Sequence, residues 1–255
     1  MNSLEKNINL RAIIKKVIKS FRNYFQYGIL QLLFPRFCVG CGRDYLFSSH
    51  WFCLACFHNL PWTGYENQRE NPVYRKMSLF TDIHTAYSLL FYSKESISQR
   101  ILVQIKYQRN ISLALFFGEK LAEVFFESQK LKNVDVLIPI PLTKKRLRWR
   151  GYNQAELLCQ GIQKKLPELN LEKNCLERKY FHQSQTKIHS SYLRFINVKE
   201  AFIINKKKLQ NWKHIVIIDD VLTTGSTLSI CVALFHQVLP NAKISILTLA
   251  TAIRE

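Results

Sequence analysis

Acidic residues are scarce in this chain. Its 255 residues carry 18 Asp and Glu against 37 Lys and Arg, a formal charge of +19. A solvated surface needs charge but not a bias of sign. The imbalance therefore points to polyanionic partners, meaning nucleic acid, phosphorylated ligands or anionic lipid, although a Lys-rich proteome produces the same bias. Long apolar runs are also missing. None reaches the roughly 18 residues a membrane span needs. The first 30 residues lack the short apolar core and small-residue cleavage site of a secretory signal, so the expected compartment is the cytoplasm. No repeat and no low-complexity stretch interrupts the chain. What is present fits a globular protein: 47% of the residues are apolar, enough for one domain of about 170 to 180 residues plus an appendage.

Cysteine is plentiful, and in a reducing compartment seven cysteines do not imply disulfides. Four of them are paired, as Cys38-Val39-Gly40-Cys41 and Cys53-Leu54-Ala55-Cys56. Each pair sets two thiolates on one tight turn, and two such turns close a tetrahedron around Zn2+. Four thiolates leave no open position for catalysis, so the expected zinc is structural. His50 and His58 lie close by but are surplus to the ligand set. Cys159, Cys175 and Cys231 are isolated on apolar faces and read as core.

Residues 8–22 read as a basic amphipathic helix. Leu10, Ile13, Ile14, Val17, Ile18 and Phe21 share one face, and Arg11, Lys15, Lys16, Lys19 and Arg22 crowd the other. Such a helix can meet a membrane surface, DNA or protein. The expected organisation is an N-terminal helix region over 1–35, a zinc module over 36–66, a linker within 63–80, and a main domain over 80–255. In the main domain, strand patterns at 84–92, 134–140, 202–204, 214–218 and 242–251 alternate with helical ones at 97–107, 112–126, 153–165 and 228–239. That alternation is the mark of an α/β domain with a parallel sheet, whose ligands sit beyond the carboxyl ends of the strands.

The run Ile217-Ile218-Asp219-Asp220-Val221-Leu222-Thr223-Thr224-Gly225-Ser226-Thr227 places two carboxylates at such an end. Small hydroxyl residues and a glycine follow, and then a helix. Backbone N–H groups and hydroxyls at a helix N-terminus form a cradle for a phosphate. The Lys of a Walker A loop is missing. Two acids just ahead of a phosphate loop suit a sugar phosphate whose ribose hydroxyls need acceptors. A second strand end leads into Lys144, Lys145, Arg146, Arg148 and Arg150, five cations within seven positions. Like charges so close predict a mobile loop, able to close on a pyrophosphate or, with Trp149 and Tyr152 interleaved, to track a single strand of DNA.

The Asp-Asp-Thr-Thr-Gly run resembles the phosphoribosyl pyrophosphate (PRPP) motif of type I phosphoribosyltransferases. The resemblance implies that Asp219 and Asp220 hold the ribose hydroxyls, and that Thr223, Thr224, Gly225, Ser226 and Thr227 hold the 5′-phosphate. Other elements stand with it: Leu32-Leu33-Phe34-Pro35 ahead of the cysteines, Lys106-Tyr107, Ile138-Pro139-Ile140-Pro141-Leu142, Arg150-Gly151-Tyr152-Asn153-Gln154, Gln185-Thr186, Arg194, Asn197 and Phe202. In this order they resemble the ComF family of competence proteins over about residues 29–252. That likeness implies a zinc module joined to a phosphoribosyltransferase-like domain, PRPP and Mg2+ as ligands, Lys106-Tyr107 at the pyrophosphate, and a role in natural transformation with single-stranded DNA and the DNA-uptake proteins as partners. The turn after Tyr107 carries Gln108, Arg109 and Asn110 where the family places a small residue or glycine. Gln185, Thr186 and Arg194 fall on a segment that either caps the site or only packs, and His182 and His189 read as surface residues. Catalysis is left open. The alternatives are an inactive DNA-binding module on this scaffold, or a small-molecule phosphoribosyltransferase with no part in DNA uptake.

Overall fold

A computed structural model describes residues 37–44, 51–127, 131–178 and 202–252. The chain divides into two compact units between His58 and Asn59. The basic helix read over 8–22, the segment 32–35, His50, His182, Gln185, Thr186, His189, Arg194 and Asn197 lie outside the described residues.

In the first unit, a tight turn over 38–43 is closed by the Gly42 amide donating to the Cys38 carbonyl at 2.8 Å and the Cys38 amide donating to Arg43 at 2.9 Å. The Val39 amide reaches the Trp51 carbonyl at 3.0 Å. That bond ties this turn to the start of a short helix, α1 (Leu54–His58).

The second unit is built on a five-stranded parallel sheet. Its strands are β1 (Thr85–Phe91), β2 (Val136–Pro139), β3 (Asn170–Leu171), β6 (His214–Leu222) and β7 (Lys243–Thr251), in spatial order β1-β7-β6-β2-β3. A separate antiparallel pair joins β4 (Leu176–Arg178) to β5 (Phe202–Ile204). The central strands β6 and β7 read Ile-Val-Ile-Ile and Ile-Ser-Ile-Leu, and these residues are buried throughout. Near-continuous apolar strands of this kind belong to a parallel sheet covered on both faces. Helices described around the sheet include α3 (Ile97–Tyr107), α4 (Ile111–Leu121), α5 (Lys144–Arg150), α6 (Gln154–Lys165) and α7 (Ser226–Val238). Each of α3 to α6 starts on a side-chain cap, from Ser96, Asn110, Thr143 and Asn153 in turn. The stripe Leu113, Phe117, Leu121 and Phe125 is buried as its spacing predicts. Val124 is only half-buried, because the turn after α4 widens to π geometry over Ala122–Glu127.

Three sequence expectations change. Residues 63–80 are not a linker. They contain a 3-10 turn (Tyr65–Asn67) and a further helix, α2 (Pro72–Ser78), with Val73 and Met77 fully buried. Asn71 caps α2 and donates to the Ala86 carbonyl of β1 at 2.9 Å. The Thr63 amide donates to Leu89 at 3.0 Å, and the Phe91 amide to Pro61 at 2.7 Å, so this stretch covers an otherwise bare edge strand. Residues 59–66, grouped with the cysteines in sequence, accordingly lie in the second unit. The basic segment Lys144–Arg150 is a helix and not a mobile loop. Thr143 caps it and Gly151, at φ 86°, ends it. Successive side chains point about 100° apart around a helix, so four of the five cations stay in water while only Arg150 turns inward. Finally, β6 extends to Leu222, so Asp219 and Asp220 sit within the strand and not after it.

Candidate functional site

The two acids border an open space because the neighbouring strand stops first. β2 pairs with β6 only as far as Pro139↔Ile218, followed by the Ile140 amide donating to the Ile218 carbonyl at 2.9 Å. Beyond that point β6 continues alongside β7 alone. The chain leaves β2 towards β3 on one side and leaves β6 towards β7 on the other. The gap between their carboxyl ends is thus a topological switch point, where ligands of parallel sheets bind. A cavity of about 330 Å3 occupies it. Its lining includes Ile140 to Leu142 from the end of β2, Asp219 and Asp220 from β6, and Thr227 from α7. Four cations (Lys106, Arg146, Arg150 and Arg178) face these two acids, so the cavity favours an anion.

The acids differ in surroundings. Asp220 is buried and fully engaged: Lys106 Nζ stands 2.9 Å from one oxygen, and Gln154 Nε2 donates to the other at 2.5 Å. Gln154 in turn accepts from Arg150. A chain of polar contacts therefore runs Lys106–Asp220–Gln154–Arg150, from α3 through β6 to α6 and α5. Arg150 is buried, yet its Nε has no hydrogen-bond partner among the described residues. Asp219 is half-buried and accepts from the Asp220 amide at 2.8 Å. Burial and the adjacent Asp220 charge push its carboxyl up to about 7. Burial and nearby Arg146 hold Arg178 below the usual guanidinium range. Arg178 remains a cation, and such crowding of like charge is relieved by an anion.

The loop after β6 has the form of a phosphate cradle. Gly225 takes φ 84° at the N-cap of α7 and offers no side-chain cap; among the described residues the first amides of this 13-residue helix are met by Thr224 Oγ1, 3.5 Å from the Ser226 amide. Thr223, Thr224 and Ser226 are exposed, and a small hollow of about 40 Å3 lies among Asp219, Val221 to Gly225, Thr227 and Leu228. Asp219 and Thr227 also line the larger cavity, so the two spaces adjoin. Lys76 of α2 donates to the Thr223 carbonyl at 3.2 Å. A Cβ on Gly225 would meet Met77 Sδ at 2.7 Å, so the helix expected as linker shapes the loop from behind.

Of the remaining sequence candidates, Lys106 and Tyr107 are the last two residues of α3 and both line the cavity. The turn after them adopts the left-handed conformation without a glycine: Arg109 has φ 54°, at a cost of about 1–2 kcal/mol for an L side chain. The five cations of α5 divide. Arg146 and Arg150 line the cavity, whereas Lys144, Lys145 and Arg148 face solvent. Tyr152 is unavailable for stacking along a strand of DNA, because it is half-buried and its hydroxyl donates to the Ile105 carbonyl.

Two residues of the cavity were missed in sequence. Arg178 arrives on β4, outside the main sheet, and nothing in its local pattern marks it. Gln154 was visible at the end of Arg-Gly-Tyr-Asn-Gln, but its role depends on a carboxylate 66 positions later. Replacing Gln154 by Leu leaves an Asp220 oxygen and an Arg150 nitrogen buried without partners. The expected loss is about 2–6 kcal/mol at roughly 1–3 per stranded group, read as a lower urea midpoint at unchanged slope.

In the first unit, the Sγ atoms of Cys38, Cys41, Cys53 and Cys56 all lie within 4.8 Å of one another, and those of Cys41 and Cys53 are 3.9 Å apart. A tetrahedron with Zn–S bonds of about 2.3 Å has edges of about 3.8 Å, so the set fits zinc. The Cys53 amide donates to Cys38 Sγ at 3.3 Å. Burial raises the Cys38 thiol, but amides of Cys53, Cys41 and Gly40 outweigh it and bring it down to about 7. Burial and the other three thiols push Cys56 up, the repulsion expected where four thiol sulfurs converge. Gly40 is required by space, since a Cβ there would lie 2.8 Å from Cys56 Sγ. His58 is exposed and stands outside the cluster. Cys159, Cys175 and Cys231 are fully buried in the second unit, as their apolar settings predicted.

No family model matches the chain. Competence protein F of Haemophilus influenzae is 27% identical over 216 residues, covering 82% of this chain and 88% of that protein. DNA utilization protein YhgH of Escherichia coli is 31% identical over 132 residues, covering 51% and 56%. Competence protein ComFC of Bacillus subtilis is 29% identical over 141 residues, covering 54% and 52%. The chain thus spans just over half the length of the latter two. Among solved structures, an alanine mutant from a study of an invariant aspartic acid in HPRTs overlaps 55% of this chain and 67% of its own, at 11% identity and a TM-score of 0.32. A hypoxanthine phosphoribosyltransferase from Trypanosoma cruzi in ternary complex with substrates gives 12% identity, 54% and 65% coverage, and a TM-score of 0.29. Overlaps that loose carry no weight beside the sequence relatives. By its motifs, its four-cysteine cluster and these relatives, the chain is a homologue of the competence proteins of the ComF family.

Proposed function

We propose that this chain binds PRPP with Mg2+ at the β2–β6 switch point and acts in DNA uptake, handling single-stranded DNA in the cytoplasm. The observation that carries the reading is the convergence of two acids, a glycine-bearing hydroxyl loop at a helix N-terminus and four cations on two adjoining hollows that share Asp219 and Thr227. Ribose hydroxyls find acceptors in Asp219 and Asp220. A 5′-phosphate finds amides and hydroxyls over Thr223–Thr227. A pyrophosphate finds Lys106, Arg146, Arg150 and Arg178, and supplies the acceptor that Arg150 Nε lacks. Mg2+ held at the Asp219 and Asp220 carboxylates neutralises phosphate charge. The relatives' names, competence and DNA utilization, support the role in DNA uptake, and the exposed cations of α5 support a polyanionic partner.

The lining also supports a second reading. Among the described residues it holds no cysteine and no histidine. If ribosyl transfer occurs, the acceptor is a second substrate, and the protein contributes position and charge neutralisation. A scaffold that binds PRPP as an effector of DNA binding needs nothing more than is described here.

Calorimetric titration with PRPP and Mg2+ tests the site. Asp219→Ala with Asp220→Ala removes two charged acceptors, worth about 1.5–3 kcal/mol each, and should weaken binding by at least about 100-fold. Unchanged affinity would remove the acids from the site. The pH dependence follows from Asp219. Its folded value of about 7 lies above the 3.8 of an ordinary aspartate. Between these values the folded chain holds a proton that the unfolded chain has lost, so this group's contribution to stability falls as pH rises and levels off above about 7. Coordination of Mg2+ needs the carboxylate. Binding below pH 7 must therefore expel a proton, and affinity should fall by up to about tenfold per pH unit. Titrations in buffers of different ionisation heat read that proton directly, and Asp219→Asn should abolish its release.

A further inference from the structure

Beside the acid-lined cavity lies a hollow of about 140 Å3 lined by Lys106, Tyr107, Arg109, Trp149 and Arg150, with no carboxylate among them. Two of its walls are open aromatic rings, Tyr107 at 58% exposure and Trp149 at 63%. Their centroids are 5.8 Å apart and their planes are inclined at 58°, so the pair is splayed and not closed face to face. The Arg150 guanidinium lies 5.5 Å from the Tyr107 centroid and steadies that ring. On α5, Lys145 precedes Trp149 by one helical turn and Arg148 adjoins it, both in solvent.

We propose that this hollow is a stacking platform for one nucleobase of single-stranded DNA. Tyr107 and Trp149 present faces to the base, while Arg109, Lys145 and Arg148 hold the phosphates on either side. The inference rests on the DNA-handling reading above and names the residues that would perform it. The chemistry selects the ligand. Aromatic faces between cations match a chain that alternates π-faces with negative charge. A duplex offers the charge but keeps its base faces stacked inside, and an acidic peptide offers the charge without the faces. Trp149 was legible as a stacking residue in sequence. Its partner is Tyr107, from the end of α3, and not Tyr152, whose hydroxyl is tied to Ile105. Lys106, Tyr107, Trp149 and Arg150 line both hollow and cavity, so a strand on the platform lies at the mouth of the phosphate site.

The test is fluorescence anisotropy of a labelled oligothymidine with the full chain, alongside a duplex of equal length and a strand carrying abasic positions. Trp149→Ala and Tyr107→Ala should each weaken single-strand binding by about 5- to 150-fold, the range for loss of one stacked base. Trp149→Phe should stay near the wild type, and duplex binding should not change. The abasic strand should bind the wild type weakly, with no further loss in Trp149→Ala. Both rings are exposed, so these variants should melt with the wild type. If they do not, Trp149→Phe and the abasic strand on unaltered protein carry the test. Equal single-strand affinity in wild type, Trp149→Ala and Tyr107→Ala overturns the platform and leaves DNA handling standing, as does an equal loss on duplex. No binding of any strand by the wild type overturns both, and PRPP titration of the wild type is a separate measurement.

Discussion

Replacing Gly161 by alanine is expected to destabilise the second unit by more than about 4 kcal/mol, in the exceptional range for a single substitution, and to lower its melting temperature by on the order of 10 °C. Helix α6 meets α4 glycine to glycine. A Cβ at Gly161 would stand 2.3 Å from the Leu115 carbonyl oxygen and 2.7 Å from Gly118 Cα. A Cβ at Gly118 would stand 2.3 Å from the Leu158 carbonyl. These neighbours are backbone and cannot rotate away, so the helices must part. Helix propensity alone predicts the opposite sign, since alanine is favoured over glycine by about 1 kcal/mol in a helix interior. Thermal and urea unfolding of Gly161→Ala and Gly118→Ala therefore decide between them, and a melting temperature at or above the wild type would refute the close approach. The site should suffer with the fold. Gln154 begins α6 and reaches Asp220 only because α6 is held where it is.

Removing zinc is expected to have the other large effect. Structural zinc contributes apparent free energies of about 10–16 kcal/mol in small cysteine-rich modules, and the described residues of the first unit offer little else to replace it. Its described residues include one five-residue helix with no buried residue and two tight turns joined through the Val39–Trp51 hydrogen bond. We expect one zinc per chain by metal analysis. Cys41→Ser or Cys53→Ser should lose it, and so should chelation. Amide hydrogen exchange over 38–57 should then rise to the rate of an unfolded peptide. Full protection in metal-free protein would show that the cluster is held by packing and not by a cation. Alanine at Gly40 should mimic the loss in part, because its Cβ would press on Cys56.

Local chemistry made much of this legible in advance. The paired cysteines needed only their spacing, because two residues between thiolates fix a turn. Strands β6 and β7 announced themselves as unbroken apolar runs, and the acid–hydroxyl–glycine order marked the turn from β6 into α7. The failures share one cause. The segment Lys144–Arg150 was expected to be mobile on its charge, but its cap, its glycine stop and the inward turn of Arg150 towards Gln154 made it a helix. Residues 63–80 read as linker because their polar composition hid Val73, Met77 and Asn71, which pack on a strand edge that sequence alone does not show to be bare.

The amino-acid order by itself determined the local elements: the cysteine turns, the buried strands, the helix caps, and the acids with their following loop. Each depends on interactions among residues a few positions apart. Only the tertiary structure decided which charges share a cavity. It stopped β2 one step before the acids, brought Lys106 to one side of Asp220 and Gln154 to the other, and delivered Arg178 from a separate hairpin. It also opened Tyr107 and Trp149 side by side while closing off Tyr152. Electrostatic and stacking contacts depend on distance through space, and separations of 66 and 114 residues along the chain, from Gln154 and Lys106 to Asp220, leave no local trace.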